Sequence, residues 1–145
     1  MGLFDKVLGK GSDQLDVPEA FLAVALTAVA ADGVLTQEEA LGLTNILSRM
    51  HTFEKWTQKD LSKAMDKLGR VIKEGGVDTV LQAAAKPLPK ELRPTAFAIA
   101  ADLLLADGTV AETEKAYLGK LQGALGLKDD DALKIVEVLE IKNRG

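Results

Sequence analysis

The chain has 145 residues, no cysteine, one histidine and a net charge of −4. A chain of this length suits one domain that buries about 68–70% of its unfolded surface. The composition excludes disulfides and thiolate metal sites, leaves too few nitrogen ligands for an ordinary zinc site, and offers no basic field to hold nucleic acid.

The first ten residues carry neither the apolar core nor the cleavage signal of a secretory leader, and Lys6 stands where myristoylation requires Ser or Thr. Within residues 1–15, Leu3, Phe4, Val7 and Leu8 share one helical face, with Lys6 and Lys10 off it. The expectation is a short amphipathic helix docking on the chain's own core; a peripheral membrane or partner contact through residues 3–8 is the alternative. The longest apolar run, residues 20–31, is shorter than the roughly 20 residues of a membrane span. A cytoplasmic protein is therefore expected, attachment to the inner membrane surface being the alternative.

Residues 16–145 read as one helical domain. Asp16 ahead of Val17-Pro18-Glu19 starts a helix through Phe21, Leu22, Ala25, Leu26 and Val29, which Gly33 ends. Thr36 and Glu39 form a capping box for a helix from Gln37 to about Met50. Thr57 and Asp60 begin another, with Leu61, Ala64, Met65, Leu68, Val71 and Ile72 on one face and Lys59, Lys63, Lys67, Arg70 and Lys73 opposite. Gly75-Gly76 predicts a break before a short helix over 77–85, and Pro87 and Pro89 mark a loop. Pro94 suits the first turn of a helix to Ala106, Gly108 ends it, and Glu112 to about Leu125 pairs with it. Gly126 caps that partner, and Asp129 opens a last helix to about Ile141. No stretch alternates with period two, so the fold is expected to be all-α with seven or eight helices.

One motif occurs twice. Ala31-Asp32-Gly33-Val34 with Glu38-Glu39, and Ala106-Asp107-Gly108-Thr109 with Glu112 and Glu114, share an Asp-Gly step, an aliphatic residue three positions after the Asp and a Glu seven after it. At an offset of 75, Ala23 also matches Ala98, Val24 matches Ile99, Ala25 matches Ala100 and Leu43 matches Leu118. This predicts a duplicated helical hairpin, with repeat units at about 16–50 and 90–126, inside a pseudo-symmetric bundle.

Asp-Gly, aliphatic, Glu is the second half of an EF-hand loop. Its first ligand positions are occupied by Ala28 and Ala30 in one copy and by Leu103 and Leu105 in the other. Neither loop alone is a calcium site. If the pseudo-dyad sets the turns side by side, Asp32, Glu39, Asp107 and Glu114 supply four carboxylates, with Glu38, Asp102 and Glu112 in reserve. Oxygen-only ligation selects a hard divalent cation: Ca²⁺, Mg²⁺ or Mn²⁺. Both Asp residues also stand at the negative pole of a helix dipole, which disfavours an uncompensated anion by up to about 1 kcal/mol. The alternative is local: either Asp can bond turn N–H groups, Glu39 can serve Thr36, and Glu114 can sit at a helix N-terminus.

Other features read as structural. The lysine stripe interleaves Asp60, Asp66 and Glu74 and is expected to be a solvated face. His51 follows a helix end; Phe53 and Trp56 are expected to close the core, or to anchor a partner. Gly9-Lys10-Gly11-Ser12 lacks the spacing and preceding strand of a phosphate loop, and Ser12, Ser48 and Ser62 have no histidine at a usable spacing. No enzymatic machinery is expected.

Together, Phe4-Asp5-Lys6-Val7, the apolar helix into Ala31-Asp32-Gly33-Val34, Glu38-Glu39, Asp107-Gly108 with Glu114-Lys115, and Leu125-Gly126-Leu127 resemble the tellurite-resistance TerB family along nearly the whole chain. The resemblance implies an all-helical fold with internal two-fold pseudo-symmetry and an acidic, metal-binding cluster at the paired turns, here Asp32, Glu39, Asp107 and Glu114. It further implies a non-enzymatic role in bacterial responses to tellurite and other chemical stress, and action with a membrane-embedded protein partner. The chain departs from better-known members at Thr109, Ala111 and Thr113, where its second turn is less acidic. Two readings follow: a metal-binding adaptor, or a metal-independent interaction module using the acidic turns and loop aromatics. A metallohydrolase is disfavoured, because the turns offer no further acid–base or oxyanion group.

Overall fold

The computed structural model describes residues 14–30, 37–106 and 110–144, of which 37–40 are described as helical backbone only. Six α-helices occur among them: α1 Val17–Ala30, α2 Gln37–Ser48, α3 Gln58–Ala85, α4 Arg93–Leu105, α5 Glu112–Leu125 and α6 Asp129–Lys142. Single 3₁₀ turns lie at His51–Phe53 and Lys90–Leu92, and no described residue is in a strand. The fold is all-α, as expected, with six of the expected seven or eight helices among the described residues. The amphipathic stretch at 3–8 and the caps at Gly33, Thr36 and Gly108 lie outside the described residues.

Helix α1 begins where the sequence places its start. Asp16 accepts the Glu19 N–H at 2.9 Å and Glu19 accepts the Asp16 N–H at 3.1 Å, while Pro18 occupies a first-turn position that needs no N–H. Every residue from Ala20 to Val29 is buried. A helix apolar all round belongs at the centre of a bundle, and α1 packs most extensively on α3 and α4. Its fully buried alanines, Ala20, Ala23, Ala25 and Ala28, let those neighbours approach closely.

Thr57 and Asp60 cap α3 reciprocally at 3.1 and 2.9 Å. The Thr57 backbone N–H, then its hydroxyl, hold the Asp60 carboxyl below the usual carboxylate range. The expected break at Gly75-Gly76 is a kink rather than an end. Only Gly76 leaves the helical region, at φ 80° and ψ 169°, and α3 runs on to Ala85. A positive φ there is strained for any residue with a Cβ. The two limbs bury Ala64, Leu68 and Val71, then Val80, Leu81, Ala84 and Ala85.

The lysine stripe faces solvent except at Lys67. Its ammonium donates to both Glu19 oxygens at 3.0 and 3.2 Å and to the Gln14 carbonyl at 3.1 Å, fastening the start of α1 to α3. Arg93, at the first position of α4, donates to the carbonyls of Ala85, Leu88 and Leu125 at 3.0, 3.1 and 3.3 Å. One guanidinium therefore serves the C-terminal carbonyls of both α3 and α5, where a cation is favoured. Gly126 ends α5 in the left-handed conformation, φ 67° and ψ 31°, with the Leu127 N–H returning to the Gln122 carbonyl at 3.1 Å. Helix α6 packs on α4 and leaves Leu133, Val138 and Ile141 exposed.

Candidate functional site

The end of the bundle opposite Arg93 is organised by two hydroxyls. Thr27 is the one polar residue in the buried stretch of α1 and is fully buried; Tyr117, the chain's single tyrosine, is 5% exposed on α5. Their oxygens are 2.7 Å apart. The Tyr117 oxygen is also 2.8 Å from the Val24 carbonyl, and the Thr27 oxygen lies 2.9 and 3.0 Å from the carbonyls of Ala23 and Val24. Two protons serve four short contacts, so Tyr117 donates toward α1 while Thr27 donates back along its own helix. Burial pushes the Tyr117 phenol well above its ordinary range, and the Thr27 hydroxyl offsets only part of that.

This pair ties the helix that carries Glu114 to α1. Glu114 lies one helical turn before Tyr117 on the same inward face of α5 and is 5% exposed. One of its oxygens accepts the Ala111 N–H at 2.7 Å. That is the glutamate half of a capping box; Ala111 has no side-chain acceptor to supply the other half. The carboxylate thus sits at the positive pole of α5. Thr27 is in the last turn of α1, so the start of α5 lies beside the end of α1. The short 106–111 connection keeps the end of α4 at the same end of the bundle. Helices α1 and α4 therefore finish there, each two residues short of its Asp-Gly step.

The remaining acidic candidates are placed as follows. Asp102 on α4 receives Lys142 at 3.2 Å and the Asn143 amide at 3.0 Å, which joins α4 to the end of α6. Glu112 is exposed and pairs with Lys115 at 3.5 Å. Asp32 and Asp107 lie outside the described residues, and Glu38 and Glu39 lie in the first turn of α2 without described side chains. Among the described residues no three acidic or histidine side chains converge on a possible cation position. Any donor set beside Glu114 would have to be completed by Asp32, Glu38, Glu39 or Asp107, which have no described side chains. Such a donor set is all carboxylate oxygen, which suits a hard cation.

Sequence reasoning passed over Thr27, Tyr117 and Arg93. The available clue was a lone hydroxyl inside an apolar helix, since a buried hydroxyl requires a partner. The aromatic pair behaves as expected for core closure: Phe53 is buried, and Trp56 packs edge-on against it at 5.0 Å and is partly buried. Trp56 also borders an open groove with Glu19, Asp60, Lys63, Ala64 and Lys67. His51 is exposed and 3.2 Å from Glu54. Among the described residues no helix is long and apolar enough to cross a membrane.

A family model described as tellurite resistance protein TerB matches residues 18–136, from the first turn of α1 into α6. No curated protein and no solved structure matches the chain.

Proposed function

The chain belongs to the tellurite resistance protein TerB family, and from that membership we propose that it is a non-enzymatic stress-response adaptor. In this reading Asp32, Glu39, Asp107 and Glu114 hold a divalent cation, Ca²⁺, Mg²⁺ or Mn²⁺, across the two hairpins. The observation that carries it is the position of Glu114. Its carboxylate is kept out of water at the end of the bundle where α1 and α4 finish, two residues before Asp32 and Asp107. Charges interact more strongly there than at a solvated surface. The cation would neutralise carboxylates at helix ends that disfavour them and tie the hairpins together; this chain's residues supply the oxygen ligands. A protein partner then reads the resulting surface.

A cation bound only to the folded state stabilises it by about 2.7 kcal/mol at a hundredfold excess over Kd. Thermal unfolding of the chelator-treated protein is accordingly expected to shift upward by several degrees with saturating Ca²⁺, Mg²⁺ or Mn²⁺. The shift should vanish in the Asp32→Asn, Asp107→Asn double variant. Equal shifts in both proteins would reject these residues as ligands.

The groove beside Trp56 favours a second reading, a metal-independent interaction module in which that aromatic anchors a partner between the charges of Asp60 and Lys63. Partner capture that survives chelation and is lost in Trp56→Ala would select it.

A further inference from the structure

We infer that the outward face of α6 is a docking surface for a second copy of this chain, the two α6 helices lying antiparallel. The inference needs no cation and stands apart from the reading above.

The face is set by helical spacing. Ala132 is buried, and Ile135, Val136 and Leu139 are half-buried against the core, chiefly on α4. At about 100° per residue, the opposite side of α6 carries Asp130, Leu133, Lys134, Glu137, Val138 and Ile141 within an arc of about 140°. All six are exposed. Leu133, Val138 and Ile141 are 58%, 63% and 61% exposed, and only Leu41 joins them as a large exposed hydrophobic among the described residues. Single apolar side chains on a surface need no account, but three on one arc of one helix do. The family match ends at Val136, so Val138 and Ile141 lie outside it.

The charges on this helix select the occupant. Asp129, Asp130 and Asp131 crowd the first turn, and Lys142 lies in the last, with Arg144 just beyond. The midpoint of α6 falls between Ile135 and Val136, with Lys134 and Glu137 equally far on either side. A parallel second copy would set aspartates beside aspartates. Reversed about the same midpoint, the copy sets each acidic start beside the other's basic end and each Lys134 opposite the other's Glu137. Lys142 also meets Asp102 at 3.2 Å, yet its side chain stays mostly exposed to such a partner. The rest of the arc stands in equidistant pairs as well, Leu133 with Val138 and Asp130 with Ile141. Reversal therefore lays the face on its own positions, as a two-fold interface requires. A contact through one helix about 21 Å long is smaller than a standard interface of about 1,600 Å². The dimer is accordingly weak and forms with rising concentration.

The test is sedimentation equilibrium of the chelator-treated full chain from about 10 μM to about 1 mM, over which the wild type should pass from monomer toward dimer. Ile141→Ser and Val138→Ser alter exposed residues, so each should keep the wild-type circular dichroism and Tm. Each should nevertheless weaken association by about tenfold, since the two-fold places every substitution in the interface twice. Lys134→Glu and Glu137→Lys set like charges opposite one another and should each dimerise about tenfold more weakly than the wild type. Mixed in equal amounts, these two charge variants should associate at least as well as the wild type, because their charges are then opposite in sign across the interface. A wild-type chain that stays monomeric at the highest concentration, wild-type association in Ile141→Ser, or a mixture no better than its separate components would overturn the pairing.

Discussion

On α5 one face buries Glu114, Tyr117, Leu121 and Leu125, while α2 buries Leu43 and Leu47 among its described side chains. Both helices follow an Asp-Gly step in sequence, and both carry a glutamate at the third helical position, Glu39 and Glu114. Leu43 matches Leu118 in sequence, yet Leu118 is only half-buried and Tyr117 takes the inward place beside it. The second helix of each hairpin is thus turned differently about its axis, because in one copy a phenol must reach Thr27. Among the described residues, α5 is tied to α1 by Tyr117 and to Arg93 through the Leu125 carbonyl, while α2 packs chiefly on α1 and the 3₁₀ turn.

The largest expected effect sharpens this contrast. Leu121→Ala and Leu47→Ala remove the same atoms from sites that are 0% and 2% exposed. The cost of such a cavity depends on how far the surroundings can collapse. On α5, which packs on α1, α3 and α4, Leu121→Ala should cost about 4 kcal/mol; on α2, which packs chiefly on α1 and the 3₁₀ turn, Leu47→Ala should cost about 2 kcal/mol. Denaturant unfolding of the two variants measures the difference, and equal losses would mean that α2 is as firmly held as α5.

A smaller effect isolates the phenol. The folded state holds the Tyr117 proton at pH values where the unfolded chain, with an ordinary phenol near 10, has released it. Above about pH 10 the native state therefore binds more protons, and stability falls as pH rises, by up to about 1.4 kcal/mol per pH unit. Below that pH this contribution is fully present. Tyr117→Phe should be less stable near neutrality but free of this alkaline slope. Because the chain has one tyrosine, ultraviolet absorbance reports its ionisation directly, and a phenol titrating near 10 in the folded protein would contradict its burial.

Much of the fold was legible because its helix ends are written in adjacent residues. Asp16 with Glu19, Thr57 with Asp60, Pro94 and Gly126 each act over three or four positions, and each is found in its expected role. Gly75-Gly76 was less legible: a glycine pair permits a stop, but only Gly76 departs from helical geometry and α3 continues beyond it. Periodicity put Lys67 on a solvated stripe, whereas Glu19, 48 positions away, draws it into a partly buried ion pair. The Thr27–Tyr117 bond spans 90 positions and leaves no local pattern. The acidic turns themselves were legible as a repeat, since their spacing is local. That Glu114 lies beside the end of α1 follows from Tyr117 and Thr27, a tertiary fact.

The central claim is that one cation joins both turns, and amide NMR of Gly33 and Gly108 tests it most directly. Chelator-treated protein is titrated with Ca²⁺, Mg²⁺ and Mn²⁺ in turn. Saturable changes at both glycines with one common Kd, absent in the Asp32→Asn, Asp107→Asn double variant, are the predicted result. Unmoved resonances at millimolar metal, or two unrelated affinities, would contradict a shared site and leave the acidic turns as helix caps or partner contacts.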